Sequence, residues 1–266
     1  MRFRPCIDIH NGKVKQIIGG TLCDRGDSAA ENFVSGKSAA DYARMYAADR
    51  LAGGHVILLN PVTSPFYETT REQALSALQA APGLLQIGGG MTPETAGVFL
   101  EAGADRVIVT SYVFRGGVID YEALERMVRA VGKRRLVLDL SARRRDGVSY
   151  VVTDRWQKFT NEALDVALLQ TLSAFCSEFL VHAVDVEGSR SGPDEELLAT
   201  LGRYAALPQA LPVTYAGGIG SMEDIQLIER AGNGLVDFTV GSALDLFGGA
   251  IPYRVLAEQY SGDVLA

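Results

Sequence analysis

The stretch Gly88-Gly-Gly-Met91 recurs near the end of the chain as Gly217-Gly-Ile-Gly220, 129 residues later. A second pair of stretches has nearly the same spacing. Gly103-Ala-Asp-Arg-Val-Ile-Val-Thr-Ser111 is echoed by Gly232-Asn-Gly-Leu-Val-Asp-Phe-Thr-Val-Gly-Ser242, and the final serines are 131 residues apart. Similarity at a constant interval indicates an internal repeat. The chain is therefore predicted to consist of two equal halves with the same glycine-rich loops.

Each half also contains an apolar run that ends in an aspartate. Ile7-Asp8 corresponds to Leu138-Asp139, and the two aspartates are 131 residues apart. Glycine-rich loops suit phosphate groups, because the backbone can approach the anion and point its N–H groups at it. The repeat therefore predicts a two-fold site that grips a ligand by two phosphates and acts on it with two carboxylates.

Eight short apolar runs alternate with segments of helical period. The runs are continuously apolar, which is typical of parallel strands buried on both faces. These predicted strands are Arg4–Asp8, His55–Asn60, Leu84–Gly88, Arg106–Thr110, Arg135–Asp139, Phe179–Ala183, Val213–Ala216 and Val236–Val240. The predicted helices are Ala39–Ala52, Thr92–Ala102, Tyr121–Val131, Asn161–Ser173, Asp194–Tyr204 and Ser221–Ala231.

This alternation predicts an α/β fold, a (β/α)8 TIM barrel with a two-fold internal repeat. A doubly wound open sheet is the main alternative, but two equal four-unit halves favour a sheet that closes on itself. No linker rich in proline, glycine or serine separates the halves, so residues 1–266 are predicted to form a single barrel domain. A chain of this length is common for one such barrel.

The composition excludes several classes of function. A formal net charge of −7 argues against nucleic acid as a partner, because a polyanion needs a basic face. The three cysteines are odd in number and form no CxxC pair, which argues against a disulfide framework or a zinc site. No run is long enough to span a membrane or to act as a signal peptide. The sequence predicts a cytoplasmic protein.

Two loops are longer than plain connections require, and both follow a strand that ends in aspartate. They run from Ile9 to Lys37 and from Ser141 to Thr160. Loops of this length in a compact domain are usually functional lids or disordered. Gly19-Gly20 would let the first loop move. The second contains three consecutive arginines, 143 to 145, and Trp156, which can stack on a flat heteroaromatic ligand or pack on the barrel rim.

Asp8 and Asp139 are the predicted acid and base. A carboxylate at the end of a buried strand loses solvation unless it is paired, so its pKa is expected to be raised. The two would face each other across the barrel mouth, where one takes a proton from carbon and the other delivers one to oxygen. The alternative is that each caps a loop or pairs with a lysine or arginine; their symmetric arrangement favours function.

The predicted phosphate sites combine glycine turns with hydroxyls or amides from the next loop along. Barrel phosphate sites are typically built after the seventh and eighth strands, and the repeat adds a second site after the third and fourth. The residues predicted to bind phosphate are Gly89, Gly90, Thr110 and Ser111 in one half, and Gly217, Gly218, Gly241 and Ser242 in the other.

Further acid candidates follow the sixth strand. Asp185 and Glu187, in Asp185-Val186-Glu187-Gly188, either work as acids or simply belong to a turn that uses Gly188. His182 is equally consistent with a position at the barrel mouth and with a core role. His10 is as consistent with a surface loop as with ligand contact, and His55 is predicted to be structural. No spacing of the histidines suggests a metal, and no metal is expected.

The residues at the strand ends give the chain a specific resemblance. It resembles the phosphoribosyl isomerase family of histidine biosynthesis (ProFAR isomerases), and looks closest to the fungal and plant branch. The resemblance spans nearly the whole chain. It is carried by Cys6-Ile-Asp-Ile-His-Asn-Gly12, Leu138-Asp-Leu-Ser141, Trp156-Gln157, Phe179-Leu-Val-His-Ala-Val-Asp-Val-Glu-Gly188, Tyr215-Ala-Gly-Gly218 and Gly241-Ser-Ala-Leu-Asp-Leu-Phe-Gly-Gly249.

The resemblance implies an Amadori rearrangement without cofactor or metal. Its substrate is a formimino-linked aminoimidazole carboxamide ribotide with a phosphate at each end, an aminoaldose converted to an aminoketose. By resemblance Asp8 is the base at the ribose C2, Asp139 is the proton donor, and Trp156 stacks on the ligand. Glu187 stands where bacterial members have an aspartate, and His182 where they have threonine, so the identity of the acid stays open.

Three other functions remain open. The cyclase subunit of imidazole glycerol phosphate synthase is a sister barrel with the same two phosphate loops, but it needs ammonia from a glutaminase partner. A non-catalytic barrel that senses a ribotide is a rival of another class. A second activity on phosphoribosyl anthranilate is also conceivable. The isomerase reading implies a small bis-phosphorylated substrate and no obligate protein partner.

Overall fold

The computed structural model describes residues 1–17, 31–154 and 156–262 and confirms a barrel of eight parallel strands. Each strand pairs with the next one in the chain order. The strands are β1 (Cys6–His10), β2 (Gly54–Leu58), β3 (Leu85–Gly88), β4 (Val107–Val109), β5 (Leu136–Asp139), β6 (Glu178–His182), β7 (Val213–Ala216) and β8 (Asp237–Phe238).

The sheet closes through the residues just before β1. Phe3 forms a parallel bridge with Phe238 of β8. The Arg4 amide donates to the Phe238 carbonyl at 2.8 Å, and the Phe238 amide donates to the Arg2 carbonyl at 3.0 Å. Closure removes both edges of the sheet, which decides the choice between a barrel and an open doubly wound sheet.

One helix follows each strand of the barrel. The helices are α1 (Ala39–Ala48), α2 (Tyr67–Ala80), α3 (Pro93–Glu101), α4 (Tyr121–Val131), α5 (Val166–Leu172), α6 (Glu195–Ala205), α7 (Met222–Ala231) and α8 (Tyr253–Tyr260). Side-chain caps fix several of their starts. Ser221 accepts from the Asp224 amide at 3.2 Å, and the Asp224 carboxylate accepts from the Ser221 amide at 2.9 Å, which forms a capping box.

The prediction is wrong at three helices. The predicted helix Asn161–Ser173 is strand over Lys158–Ala163, and the helix begins only at Val166, where the Asp165 carboxylate accepts from the Leu168 amide at 2.8 Å. Helices α2 and α8 are absent from the prediction. Helix α2 buries mainly small side chains, and its N-terminal residue Phe66 provides no side-chain cap, so neither an apolar stripe nor a start signal marks it.

The second long loop contains a three-stranded antiparallel sheet instead of an unstructured lid. Its strands are Ala142–Arg145, Val148–Thr153 and Lys158–Ala163, and we call this element the hairpin sheet. In the first long loop, Lys13–Ile17 pairs antiparallel with β1 and with Glu31–Val34. Gly19-Gly20 and Cys23 lie outside the described residues.

The carboxyl ends of the eight strands meet at one rim of the barrel, and this is what positions the site. The interior beneath it is filled by Ile108, Val137 and Leu180, with Ile57 packed against them. A larger apolar core lies between the barrel and its helices. No helix in the described ranges is long and apolar enough to cross a membrane.

Candidate active site

Asp139 lies at the end of β5 and is held by three side chains. Ser141 donates to its Oδ1 at 2.9 Å, and Thr110 donates to its Oδ2 at 3.3 Å. The Nδ1 atom of His182, at the end of β6, lies 3.2 Å from Oδ1. The carboxylate is buried, so these contacts replace the water that it loses.

His182 is charged at neutral pH because of its carboxylate neighbours. Burial by itself would lower the pKa of the imidazole, but Asp139 beside it and Glu187 further away raise that pKa to about 9. Because Nδ1 contacts Asp139, Nε2 is the ring atom left for another partner. His182 therefore satisfies the geometric and electrostatic needs of a proton donor.

Trp156 covers His182. The two ring centroids lie 6.0 Å apart, with the planes tilted by 42°. The indole Nε1 donates to Ser141 Oγ at 3.0 Å, so the same serine binds both Trp156 and Asp139. The Trp156 backbone has a φ of 68°, which is unusual for a bulky residue. The loop between the second and third strands of the hairpin sheet thus places an aromatic ring at the rim of the barrel.

Asp8, the repeat equivalent of Asp139, has a different environment. The only side-chain hydrogen bond to its carboxylate in the described chain comes from Gln16 Nε2, at 3.2 Å from Oδ2. Burial raises the pKa of Asp8 to about 7, and the neighbouring Glu187 carboxylate adds to the increase. A carboxylate with this pKa is matched to accepting a proton near neutral pH.

Glu187 follows a short turn after β6, Val184–Val186. Its Oε2 atom is buried and has no hydrogen-bond partner within the described residues. Burial raises the pKa of the Glu187 carboxyl, and the Asp139 carboxylate contributes to the increase. A buried polar atom without a partner is rare in folded proteins, which makes Glu187 a candidate for ligand contact.

The glycine turn after β7 is shaped so that only glycine fits. Gly217 and Gly218 have φ values of 124° and 75°. A Cβ atom on Gly218 would lie 2.0 Å from the Gly192 carbonyl, and one on Gly241 would lie 2.3 Å from Gln16 Oε1. In the described chain no hydrogen bond is donated by the backbone amides of Gly218, Gly241 or Ser242. These N–H groups suit an anion.

The matching turn after β3 has the same backbone character. Gly89 and Gly90 have φ values of 101° and 68°, and a Cβ atom on Gly89 would lie 2.1 Å from the Leu58 carbonyl. Ser111 Oγ accepts from the Asp154 amide of the hairpin sheet at 3.3 Å. The Thr110 hydroxyl donates to Asp139, so this side chain supports the acid pair in the structure.

One cleft brings together part of the predicted site. Its described lining contains Asp8, His182, Glu187, Gly217, Gly218, Gly241 and Ser242. Asp139 and Trp156 do not line the cleft themselves, but both contact His182, which does. Gly89, Gly90, Thr110 and Ser111 do not line it, and Ser111 instead accepts from the Asp154 amide beside the hairpin sheet.

Several lining residues were missed by the sequence reasoning. Cys6, Gln16 and Arg190 line the cleft, and so does His55, which was predicted to be structural. His55 touches His182 edge to face, with centroids 6.4 Å apart, and burial together with the His182 charge lowers its pKa to about 3. Inward alternation along β1 and β2 was the available signal for Cys6 and His55.

The three consecutive arginines do not line this cleft. Arg143 Nε donates to Asp185 at 2.7 Å, and the Arg144 amide donates to the same carboxylate at 2.8 Å. The Arg144 guanidinium also pairs with Glu196, and Arg145 stacks over Tyr150 with its Cζ atom 4.6 Å from the ring centroid. The arginines thus fasten the hairpin sheet to the loop after β6. Asp185 is occupied there and does not reach the acid candidates.

The fold and the paired turns define the class of protein. It is a (β/α)8 barrel whose two halves present matching glycine turns after β3 and β7, with a carboxylate at the strand end in each half. The chain belongs to the histidine biosynthesis protein family, whose sequence profile matches residues 2–251. Within the described ranges no group of three or more histidine, cysteine or acidic residues could hold a metal ion.

Similar proteins share one activity in their names, an isomerase of a doubly phosphoribosylated imidazole-4-carboxamide. The protein from Medicago truncatula, named as chloroplastic, is 52% identical over 258 residues, 96% of this chain and 80% of the relative. Those from Eremothecium gossypii and Neurospora crassa are 48% and 43% identical. They align over 94% and 93% of this chain, and over the same shares of their own lengths.

Proposed function

We propose that this protein is the ProFAR isomerase of histidine biosynthesis, which converts the aminoaldose ProFAR to the aminoketose PRFAR by carboxylate acid–base catalysis. The substrate carries a phosphate at each end, and the barrel has a glycine turn with free amides in each half. Binding energy from the two phosphates would place the ribose between the acid and the base. The names of the relatives support this activity.

Asp8 is the proposed base. Its carboxylate lines the cleft, has one neutral side-chain donor in the described chain, and has a pKa of about 7. It removes the proton from the ribose C2 after the ring has opened. The electrons of that C–H bond form the enolamine, which becomes the ketone when C1 gains a proton and the 2-hydroxyl loses one.

His182 and Asp139 form the proposed acid. The imidazolium, which Asp139 stabilises at Nδ1, donates its Nε2 proton to the ring oxygen as the C1–O bond breaks, and the lone pair of the attached nitrogen forms the C1=N bond of the open-chain imine. Glu187, with its unpartnered Oε2, binds the ribose beside them. Trp156 supports His182 and stacks on the ligand. In this proposal His182 is the immediate proton donor, and Glu187, predicted as an acid candidate, contacts the substrate instead.

A single observation carries the proposal. A carboxylate of raised pKa and a histidine bonded to a second carboxylate line one cleft, beside a glycine turn with free amides. Such a pair supplies one base and one acid at neutral pH, and nothing in the reaction requires a redox step. No cofactor and no obligate protein partner are proposed, and the cytoplasm is the proposed location.

The direct test is to incubate the purified protein with ProFAR in the absence of ammonia and of any glutaminase. We expect conversion to PRFAR, separated from the substrate by chromatography, and loss of conversion in Asp8→Asn. Failure of the wild-type protein to convert ProFAR would exclude the isomerase. Ammonia-dependent consumption of PRFAR would establish the cyclase instead, and substrate binding without any reaction would establish a sensor.

A further inference from the structure

Arg190 crosses the glycine turn of the C-terminal half. Its segment is tied to that turn by a hydrogen bond from the Gly192 amide to the Gly218 carbonyl, at 2.9 Å. The approach is so close that a Cβ atom on Gly220 would lie 2.7 Å from the Arg190 carbonyl. Arg190 itself has a φ of 55°. The backbone of this segment therefore lies directly against the turn and places Arg190 beside it.

The guanidinium of Arg190 contacts only neutral atoms in the described chain. Its Nε donates to Ser242 Oγ at 3.3 Å, and its terminal nitrogen donates to the Ser242 carbonyl. No carboxylate within the described residues forms an ion pair with it. Arg190 is exposed, and its positive charge lies on Ser242 without a counter-charge, an arrangement that favours an incoming anion.

The electrostatics of the cleft show why an anion needs this charge. Asp8 and Glu187 line the same cleft as the glycine turn, and both would repel a phosphate when ionised. Arg190 is the only lysine or arginine among the described residues of that lining. Free backbone amides supply direction but no full charge. The His182 imidazolium belongs to the acid, so Arg190, which contacts Ser242 beside the glycine turn, is the cation placed to offset a phosphate there.

The two halves of the repeat differ at this point. Arg190 lies in the segment between β6 and α6, and the corresponding segment between β2 and α2, residues 59–66, contains no lysine or arginine. The sequence reasoning treated the two phosphate sites as equivalent. The structure gives the C-terminal turn a side-chain cation from a segment whose counterpart in the N-terminal half has none.

We propose that Arg190 is a phosphate-binding residue of the C-terminal half, one that exchanges its hydrogen bonds with Ser242 for two phosphate oxygens when the ribotide binds. The fork of N–H donors suits a bidentate contact with phosphate. The exchange also frees the Ser242 hydroxyl to donate to the same phosphate. The proposal rests on the proposed function for the identity of the ribotide, but anion binding itself can be tested without the reaction.

The kinetic test compares Arg190→Gln with Arg190→Lys and with a matched control. We expect Arg190→Gln to raise the KM for ProFAR by about tenfold or more, since a charged hydrogen bond is lost, with a smaller fall in kcat. Arg190→Lys should recover part of the affinity, because it keeps the charge but not the fork. The control is Arg129→Gln, which removes the same charge from an exposed position on α4 and should leave KM unchanged.

The second readout needs no activity. Inorganic phosphate should raise the melting temperature of the wild-type protein, since a ligand that binds only the folded state stabilises it. Arg190→Gln should gain clearly less than wild type from phosphate, with potassium chloride of equal ionic strength as the reference. An equal gain in both proteins, or an unchanged KM, would overturn the proposal. If wild type fails to convert ProFAR while the phosphate difference persists, only the proposed function fails.

Discussion

Asp8 and Asp139 occupy equivalent positions in the repeat but have different environments. Asp139 accepts hydrogen bonds from Thr110 and Ser141 and lies against His182, whereas Asp8 receives one from Gln16. The same residue type at the same strand end thus becomes the partner of a charged histidine in one half and a carboxylate of raised pKa in the other. The internal repeat places an aspartate at each of two equivalent strand ends, and the side chains around each aspartate determine its protonation and its role.

The largest effect is expected from removing the base. Asp8→Asn keeps the shape of the side chain but cannot take the C2 proton, so kcat should fall by a factor on the order of 10³. Steady-state kinetics with ProFAR measures this loss, and equilibrium binding of ProFAR should stay within a few-fold of wild type. A variant that keeps a tenth of the wild-type kcat would show that Asp8 is not the base.

Asp139→Asn should lower kcat by a smaller factor, on the order of 10². His182 remains in place, but without the Asp139 carboxylate its pKa falls, so less of it carries a proton at neutral pH. The alkaline limb of the pH–rate profile should therefore move to lower pH. An Asp139→Asn profile that keeps its alkaline limb in place would separate Asp139 from the proton donor.

The wild-type pH dependence follows from the same two groups. Because Asp8 must be ionised, kcat/KM should rise through about pH 7, the pKa of that carboxyl. Because His182 must be protonated, kcat/KM should fall through about pH 9. The residual kcat/KM of Asp8→Asn should no longer rise through pH 7. A flat wild-type profile between pH 6 and 10 would contradict both assignments.

An effect on the free energy of unfolding should accompany the effect of Asp8→Asn on the rate. The folded pKa of Asp8 is raised above its ordinary value of 3.8 to about 7, so its contribution to stability is present at low pH and is lost as the pH rises through 7. Asp8→Asn removes this loss and should be more stable than wild type by about 4 kcal/mol at pH 8, because the rise in pKa from 3.8 to about 7 corresponds to about 1.4 kcal/mol for each pH unit. The advantage should vanish at pH 4, measured by urea unfolding.

Gln16→Glu tests whether the single amide donor at Asp8 helps to set the pKa of that carboxyl. Adding a negative charge 3.2 Å from Asp8 replaces its amide donor and should raise the Asp8 pKa further. The acidic limb of kcat/KM would then move to higher pH by about one unit. The control is Gln157→Glu, which adds the same charge at an exposed position and should leave that limb where it is.

Much of the fold was predictable from the sequence because strands and turns are local. The eight apolar runs, the capping residue Ser221 and the glycine turns at Gly89 and Gly217 each depend on their own neighbours in the chain. Helix α2 was missed because small buried residues such as Ala74 and Ala77 leave no apolar stripe. The strands of the hairpin sheet were missed because pairing across a loop is not a local property.

The site was predictable only in part, for a related reason. The repeat located both aspartates and both glycine turns, and each lies where strand ends meet. The contacts that distinguish them are long-range: His182 with Asp139 across two strands, Gln16 with Asp8 across a hairpin, and Arg190 with Ser242 across two loops. The repeat in the sequence predicts two equivalent sites, and only the fold shows which side-chain contacts make them different.

The most direct test of this difference is a titration of Asp8 and His182 by NMR in the protein without substrate. The carboxyl carbon of Asp8 should titrate near pH 7, and the His182 ring should titrate near pH 9 in wild type and at lower pH in Asp139→Asn. An Asp8 carboxyl that titrates near its ordinary value of 3.8, or a His182 ring whose pKa ignores Asp139, would contradict the assignment of base and acid to the two halves.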